Sequence, residues 1–295
     1  MQRVAILINP RAGVRRGDAV AQRAELARAA LRDHGAVGEV VVTDGRGRGR
    51  AAARELRARG VDTVVVWGGD GTVNEVASQL VGGGATLGIV PAGSGNGLAR
   101  ELGLHMDPAR ALHAALQGPV RRIDAGELGG RLFFNVAGVG FDACRAAAFT
   151  ARTRRGAAGY PAAALREAAR YVPRRYTVTA DGATSSGRAL LVAVANTRQY
   201  GNGAIIAPAA RPDDGRLELV VVPPVGILSA GWHLRRLFRG TLQQMPGVRM
   251  NPVRAGEIDA GEPLAFHVDG EVAAGERRLA IAVHARALPV RVPAA

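Results

Sequence analysis

GGDGT at residues 68–72 and PAGSGNG at residues 91–97 each join a short apolar run to a helical pattern. Glycine lets a backbone turn tightly and approach a ligand closely, and the helix that follows aims unpaired N–H groups and a partial positive charge into the turn. Gly68, Gly69, Gly71 and Gly93 supply that backbone, Thr72 and Ser94 add hydroxyl donors, and Asn74 and Asn96 add amides near the helix starts. Two such turns on adjacent strands could clamp a polyphosphate. The plainer alternative is that the glycines only shape turns and that Thr72 caps a helix. Neither turn fits G-x-G-x-x-G, which disfavours a dinucleotide site, and Ala92 stands where a G-x-S-x-G nucleophile elbow needs its first glycine. Asp70 poses the question: it is a carboxylate inside a loop suited to receive an anion.

Other acids sit in turn-like settings. Asp269 and Gly270 lie between apolar runs in FHVDGEV, a pattern that predicts a tight hairpin turn, and RPDDGRLEL at 211–219 offers an acidic turn. Asp124 follows a basic pair in RRIDAG, where the residues alone suggest a carboxylate in a junction turn.

The elements that must position these residues alternate regularly at first. RVAILIN reads as a buried strand, 17–34 as a helix, EVVVTD as a strand, 48–59 as a helix and DTVVVWG as a strand. A helix over 72–81, the strand TLGIV and a helix from about 96 follow. This alternation predicts an α/β domain with a parallel sheet and flanking helices, whose ligands gather at the carboxyl ends of the strands. From about residue 125 short strand-like runs (RLFFNVAGVG, RYTVTAD, ALLVAVANT, RLELVVV, PLAFHV, RLAIAVHA) separated by Gly, Asp and Pro predict a β-rich antiparallel domain. Helical patterns at about 157–171 and 226–239 interrupt it, and the final LPVRVP suits a last strand of either domain. The expected division is 1–125 and 126–286, with 287–295 left open to completing the first domain.

Composition narrows the chemistry. A chain of 295 residues with 47% hydrophobic content can bury two cores. No apolar run is long enough to span a membrane, and MQRVAILINP turns polar too soon for a signal peptide, so a cytoplasmic protein is expected. Cys144 is the only cysteine, which excludes an intrachain disulfide framework and a thiolate-rich zinc site. The formal charge is +14 and no lysine occurs, so Walker-type, Schiff-base and protein-kinase lysines are excluded while anionic partners are favoured.

GGDGTVNEV with PAGSGNGLAR, preceded by NPRAG at 9–13, resembles the diacylglycerol kinase catalytic-domain family of lipid kinases, which includes sphingosine kinases and soluble bacterial diacylglycerol kinases. The resemblance extends through RRIDAGEL, FNVAGVGFDA, PDDGRLEL and VDGEV, nearly the whole chain. It implies an NAD kinase-like first domain, a β-sandwich second domain, and ATP with magnesium in the cleft between them. Asn9, Thr43, Gly68, Gly69, Asp70, Gly71, Thr72, Asn74, Gly93, Ser94 and Asn96 then match nucleotide-contacting positions. By the same resemblance Asp70 and Asp124 join a magnesium and water network beside the phosphates, Glu271 is the general base toward the lipid hydroxyl, and Asp269 shapes the site. Asp214, with main-chain oxygens of Arg211 and Arg216, matches a structural magnesium position, with a plain turn as the alternative. One departure is Gly97, where many diacylglycerol kinases carry an acid and sphingosine kinases a small residue, which leaves the acceptor lipid open.

Two basic stretches suit a membrane surface. Ile227, Trp232, Leu234, Leu237 and Phe238 stand among Arg235, Arg236 and Arg239, as on an interfacial helix or on an ordinary packing helix, and 151–175 is similarly basic. The expected partners are a lipid substrate at an anionic membrane surface, without nucleic acid, and a homodimer stays open. The resemblance thus implies a cytoplasmic, peripherally membrane-associated enzyme of phospholipid metabolism. NAD kinase shares the first loop but is disfavoured by VDGEV and PAGSGNGLAR, and a silent lipid-binding relative is disfavoured by the intact Asp70, Asp124 and Glu271 set.

Overall fold

The computed structural model describes residues 2–13, 18–43, 47–141, 172–200, 203–226, 232 and 235–294. The helical pattern expected at 157–171 and Cys144 lie outside the described residues, and the 226–239 pattern is described only at 226, 232 and 235–239. The chain divides into two compact units, Met1–Ile123 with Arg286–Ala295, and Asp124–Ala285.

The first unit is α/β. Its elements are β1 (Arg3–Ile8), α1 (Asp18–Asp33), β2 (Val37–Val42), α2 (Arg48–Ala58), β3 (Thr63–Gly68), α3 (Asp70–Leu80), β4 (Thr86–Pro91), α4 (Gly97–Glu101) and α5 (Pro108–Gln117). The strands lie in the order β2-β1-β3-β4, all parallel. Every residue of β3 is buried, as expected of a β-branched strand covered by helices on both faces. Val4, Ile6, Val65 and Trp67 pack on one face against Ala24, Ala27, Leu112 and Ala115 of α1 and α5. The carboxyl ends of β1, β3 and β4 therefore open into their loops side by side.

The second unit is an antiparallel β sandwich. Its strands are β5 (Val120–Leu128, entering from the first unit), β6 (Arg131–Phe133), β7 (Val136–Gly140), β8 (Arg174–Ala180), β9 (Ala183–Ala189), β10 (Leu191–Ala195) and β11 (Leu217–Val222). They continue with β12 (Arg249–Val253), β13 (Ala255–Asp259), β14 (Ala265–Val268), β15 (Glu271–Ala274) and β16 (Arg278–Arg291). One sheet runs β12-β11-β10-β7-β14-β15. In the other, β16, β13, β8 and β9 are neighbours, with β5 beside β16 and β6 beside β5. Between them Phe133, Tyr176, Val178, Ile258, Leu279 and Ile281 meet Val139, Val192, Val194, Leu219 and Phe266.

LPVRVP is not a separate strand. It lies at the end of β16, where Val290 pairs in parallel with Leu87 of β4, so the first unit's sheet is completed by the chain's last strand. The short, polar or proline-containing strands β9 (ATSSGRA) and β12 (RMNPV) carry too little apolar alternation to be read from sequence.

Candidate functional site

The first unit stitches three loops together at the ends of β1, β3 and β4. Asn9 donates its side-chain Nδ2 to the Thr72 hydroxyl at 2.6 Å, and its side-chain Oδ1 accepts the Arg11 N–H at 2.9 Å. Thr72 is thus the third residue of α3 and a bridge to the first loop, while Gly69, with no side-chain bond, occupies the cap position that sequence reading gave to Thr72. Its side chain lies over Gly68, where an added methyl would come within 2.8 Å of the Thr72 Cβ.

Asp70 clamps the second loop to the first. Its Oδ2 accepts the Asn96 N–H at 2.8 Å and its Oδ1 accepts the Gly97 N–H at 2.7 Å. Burial raises its pKa, opposed by the Gly97 and Asn96 N–H bonds. The loops touch so closely that a methyl on Gly93 would lie 2.7 Å from the Gly69 Cα. Asn96, held at φ +49°, staples its own loop: its Oδ1 accepts from Gly93 N and its Nδ2 donates to Gly93 O, both at 2.8 Å.

The remaining nucleotide candidates divide. Ser94 is exposed at the loop tip and Gly71 half-buried in the first turn of α3. Thr43 is buried after β2, its hydroxyl bonded to the Ile8 carbonyl at 3.3 Å. Asn74 is buried in α3 and accepts from the Ser78 hydroxyl at 3.4 Å. Beside Gly93 and Asn96 an open groove of about 520 Å³ is lined by Trp67, Arg23, Arg100 and Met106 among others. Arg23 donates to Ala12 O at 2.8 Å, stands 5.8 Å above the Trp67 ring, and has its pKa lowered by desolvation. Glu75, which sequence reading passed over, accepts the Gly47 N–H at the start of α2 at 2.9 Å.

The second unit gathers its acids around one buried polar knot. Asp124 is no turn residue: it is fully buried within β5, its N–H bonded to Pro212 O at 2.6 Å and its Oδ2 accepting the Gly215 N–H at 2.7 Å. Asn196, also fully buried, donates its amide to the carbonyls of Asp124 and Phe134, both at 3.0 Å, and Thr197 donates to the Asn135 side chain. Asp269 accepts the N–H groups of Phe134, Asn135 and Val136 at 3.0, 2.8 and 3.2 Å. Asp269 and Gly270, at φ +47° and +84°, form the tight turn joining β14 to β15, and Glu271 is the exposed first residue of β15, paired with Val268. Asn135, Asn196 and Thr197 had no assigned role in the sequence; the signal was a polar pair ending the apolar run LLVAVANT.

At the acidic turn, Asp214 Oδ1 accepts the Arg216 N–H at 3.0 Å, the bond of a simple Asp-initiated turn, and Arg211 approaches Asp213 at 3.7 Å. Among the described residues no three His, Cys, Asp or Glu side chains converge in a metal-binding group. The first unit thus offers closely apposed glycine loops at a helix start, and the second unit two carboxylates, Asp124 and Asp269, fixed by main-chain N–H bonds.

Two family models match successive parts of the chain. Residues 3–128 match the family described as diacylglycerol kinase catalytic domain, and residues 135–292 match the YegS C-terminal NAD kinase beta sandwich-like domain. The chain is 34% identical to the "Probable lipid kinase YegS-like" of Pseudomonas aeruginosa over 278 residues, covering 90% of this chain and 88% of that protein. A protein of the same description from Enterobacter sp. (strain 638) is 31% identical, with 89% of each chain covered. A solved structure of a diacylglycerol kinase from Bacillus anthracis str. Sterne superposes with a TM-score of 0.80 at 25% identity, covering 99% of this chain and 97% of that one.

Proposed function

Because the chain belongs to the diacylglycerol kinase catalytic-domain family of lipid kinases, we propose that it transfers the γ-phosphoryl group of ATP to a hydroxyl of a lipid acceptor of the diacylglycerol or sphingoid type, with magnesium and with Glu271 as general base. The observation that carries the nucleotide half is the Gly69–Gly93 contact, held shut by Asp70. Backbone without side chains faces backbone there, at the start of a helix whose first N–H groups have no intrahelical acceptor, and such a surface fits phosphate oxygens.

The family resemblance assigns two carboxylates to the metal, Asp70 in the first unit and Asp124 in the second. Both Asp70 oxygens already accept main-chain N–H bonds, so this carboxylate would have only its remaining lone pairs to offer a cation. Asp124 has its Oδ2 on Gly215. Bound magnesium supplies charge screening of the triphosphate. A structural magnesium at Asp214 with the carbonyls of Arg211 and Arg216 belongs to the same proposal and predicts a metal-dependent rise in melting temperature that Asp214→Ala removes.

Glu271 takes the hydroxyl proton as the oxygen attacks. Its place on the hairpin is set by the turn before it, which Asp269 ties to residues 134–136. The deciding experiment is transfer from labelled ATP into mixed micelles of diacylglycerol, sphingosine, ceramide or phosphatidylglycerol, comparing the native chain with Glu271→Gln. Labelled product on one lipid, lost in the variant while ATP still binds, is the expected result and names the acceptor. ATP binding without transfer to any lipid would overturn the lipid-kinase reading; activity unchanged in Glu271→Gln would overturn the base.

A further inference from the structure

Among the described residues only two aromatic side chains are both large and exposed, Trp232 at 51% and Phe238 at 53%, six positions apart and each at a helical residue. The rotation of residues 235–239 is fixed from beneath. Leu237 packs against the sandwich cluster of Val136, Ala193, Ile206 and Val220, and its carbonyl accepts the Ile205 N–H at 2.9 Å. Arg236 lies over the indole, its guanidinium carbon 3.8 Å from the Trp232 ring centroid, and its Nη1 donates to Thr241 O at 3.3 Å and Gln244 Oε1 at 3.1 Å. With Leu237 turned inward, Trp232, Arg235, Phe238 and Arg239 are all left exposed.

Charge selects the occupant. From Leu219 to Gly256 the sequence has five arginines (235, 236, 239, 249 and 254) and neither Asp nor Glu. Two half-exposed aromatic rings, edged by guanidinium groups in a stretch of sequence without an acid, match the boundary between lipid headgroups and acyl chains in an anionic bilayer. We propose that this face is where the second unit lands on a membrane containing anionic lipid, with the Trp232 and Phe238 rings at the acyl boundary and Arg235 and Arg239 on lipid phosphates. The inference takes its occupant from the lipid-kinase reading, since an enzyme acting on a bilayer lipid must work at that surface.

The chain carries its own probe. Of its two tryptophans, Trp67 is 2% exposed and Trp232 is the accessible one, so a change of emission on adding vesicles reports Trp232. With mixed phosphatidylglycerol–phosphatidylcholine vesicles at low salt the emission shifts to the blue and is quenched by brominated acyl chains. With phosphatidylcholine alone it does not. Trp232→Phe abolishes the shift while vesicle co-sedimentation persists, and Arg235→Glu with Arg239→Glu weakens co-sedimentation about tenfold or more.

The same variants keep their transfer rate to a short-chain acceptor in free solution, which separates landing from chemistry. Absence of vesicle binding would overturn the proposal, as would binding without an emission shift or binding unaltered by the charge reversals. A concentration-dependent dimer abolished by those variants would assign the face to a second copy instead. If no lipid is phosphorylated yet the vesicle results stand, the lipid-kinase reading fails alone and the landing face remains.

Discussion

Asp70 is itself the anion that the second glycine loop receives. Its two oxygens take the first N–H groups of α4, so the carboxylate inside GGDGT closes one loop onto the other. Asp70→Ala leaves two main-chain donors without acceptors in a half-buried place, and a loss of about 2 kcal/mol is expected from urea denaturation, with weaker ATP binding. The chain repeats the device at two hairpins. Asp181–Gly182 and Asp269–Gly270 both have positive φ at both positions, and in each the aspartate reaches N–H groups at the start of a distant segment, Arg254 and Ala255 for the first, Phe134 to Val136 for the second. The Asp-Gly hairpin at 269–270 was legible because its residue preference is local. The carboxylate's grip on Phe134 was not, because the partner lies 135 positions away. Asp269→Ala therefore costs about 2 kcal/mol or more by the same measurement, and Asp269→Asn, which keeps the left-handed turn and one acceptor, costs less than half as much.

Strands carry the acids of the second unit, and their ends decide how those acids are held. Asp124 reads as a junction turn in sequence because it follows a basic pair where the two domain patterns meet, yet β5 runs through it and Asn196 at the end of β10 supplies the amide that binds its carbonyl. Asn196→Leu strands the carbonyls of Asp124 and Phe134 in a dry interior, and the unfolding free energy should fall by about 2–4 kcal/mol. An acid that does stand at a strand end behaves differently because it is bound by cations. Asp259 at the end of β13 is bonded to Arg277, then to the Gly261 N–H, with Arg278 close by, and its pKa is lowered from 3.8 to about 2. A depressed carboxyl contributes its full stability above the unfolded value and loses it as pH falls through the folded one. The urea midpoint of the native chain should therefore drop between about pH 4 and pH 2 more steeply than that of Asp259→Asn, and added salt should narrow the difference.

At the scale of the whole molecule, period was the legible signal and closure was not. The regular exchange of β-branched runs and helical patterns gave the α/β unit, and the turn-punctuated short runs gave the sandwich, because both patterns are local. The sequence left the last strand open to either unit, because LPVRVP has no local mark of its partner; pairing with β4 assigns it to the first unit, whose other motifs all precede residue 124. Three bonds hold that return: Gly82 N–H to Ala287 O at 3.1 Å, Val292 N–H to Pro119 O at 3.0 Å, and Arg291 Nη1 to Gly118 O at 2.7 Å. Leu288 and Val290 are fully buried, so removing them exposes β4 along one edge and uncovers apolar surface. A fragment of residues 1–123 should accordingly fail to give a cooperative thermal transition or to bind ATP, although it contains both glycine loops and Asp70. Joining residues 286–294 to it through a short flexible linker should restore the transition, followed by circular dichroism. A cooperative, ATP-binding 1–123 fragment would show instead that the returning strand is dispensable to the nucleotide loops.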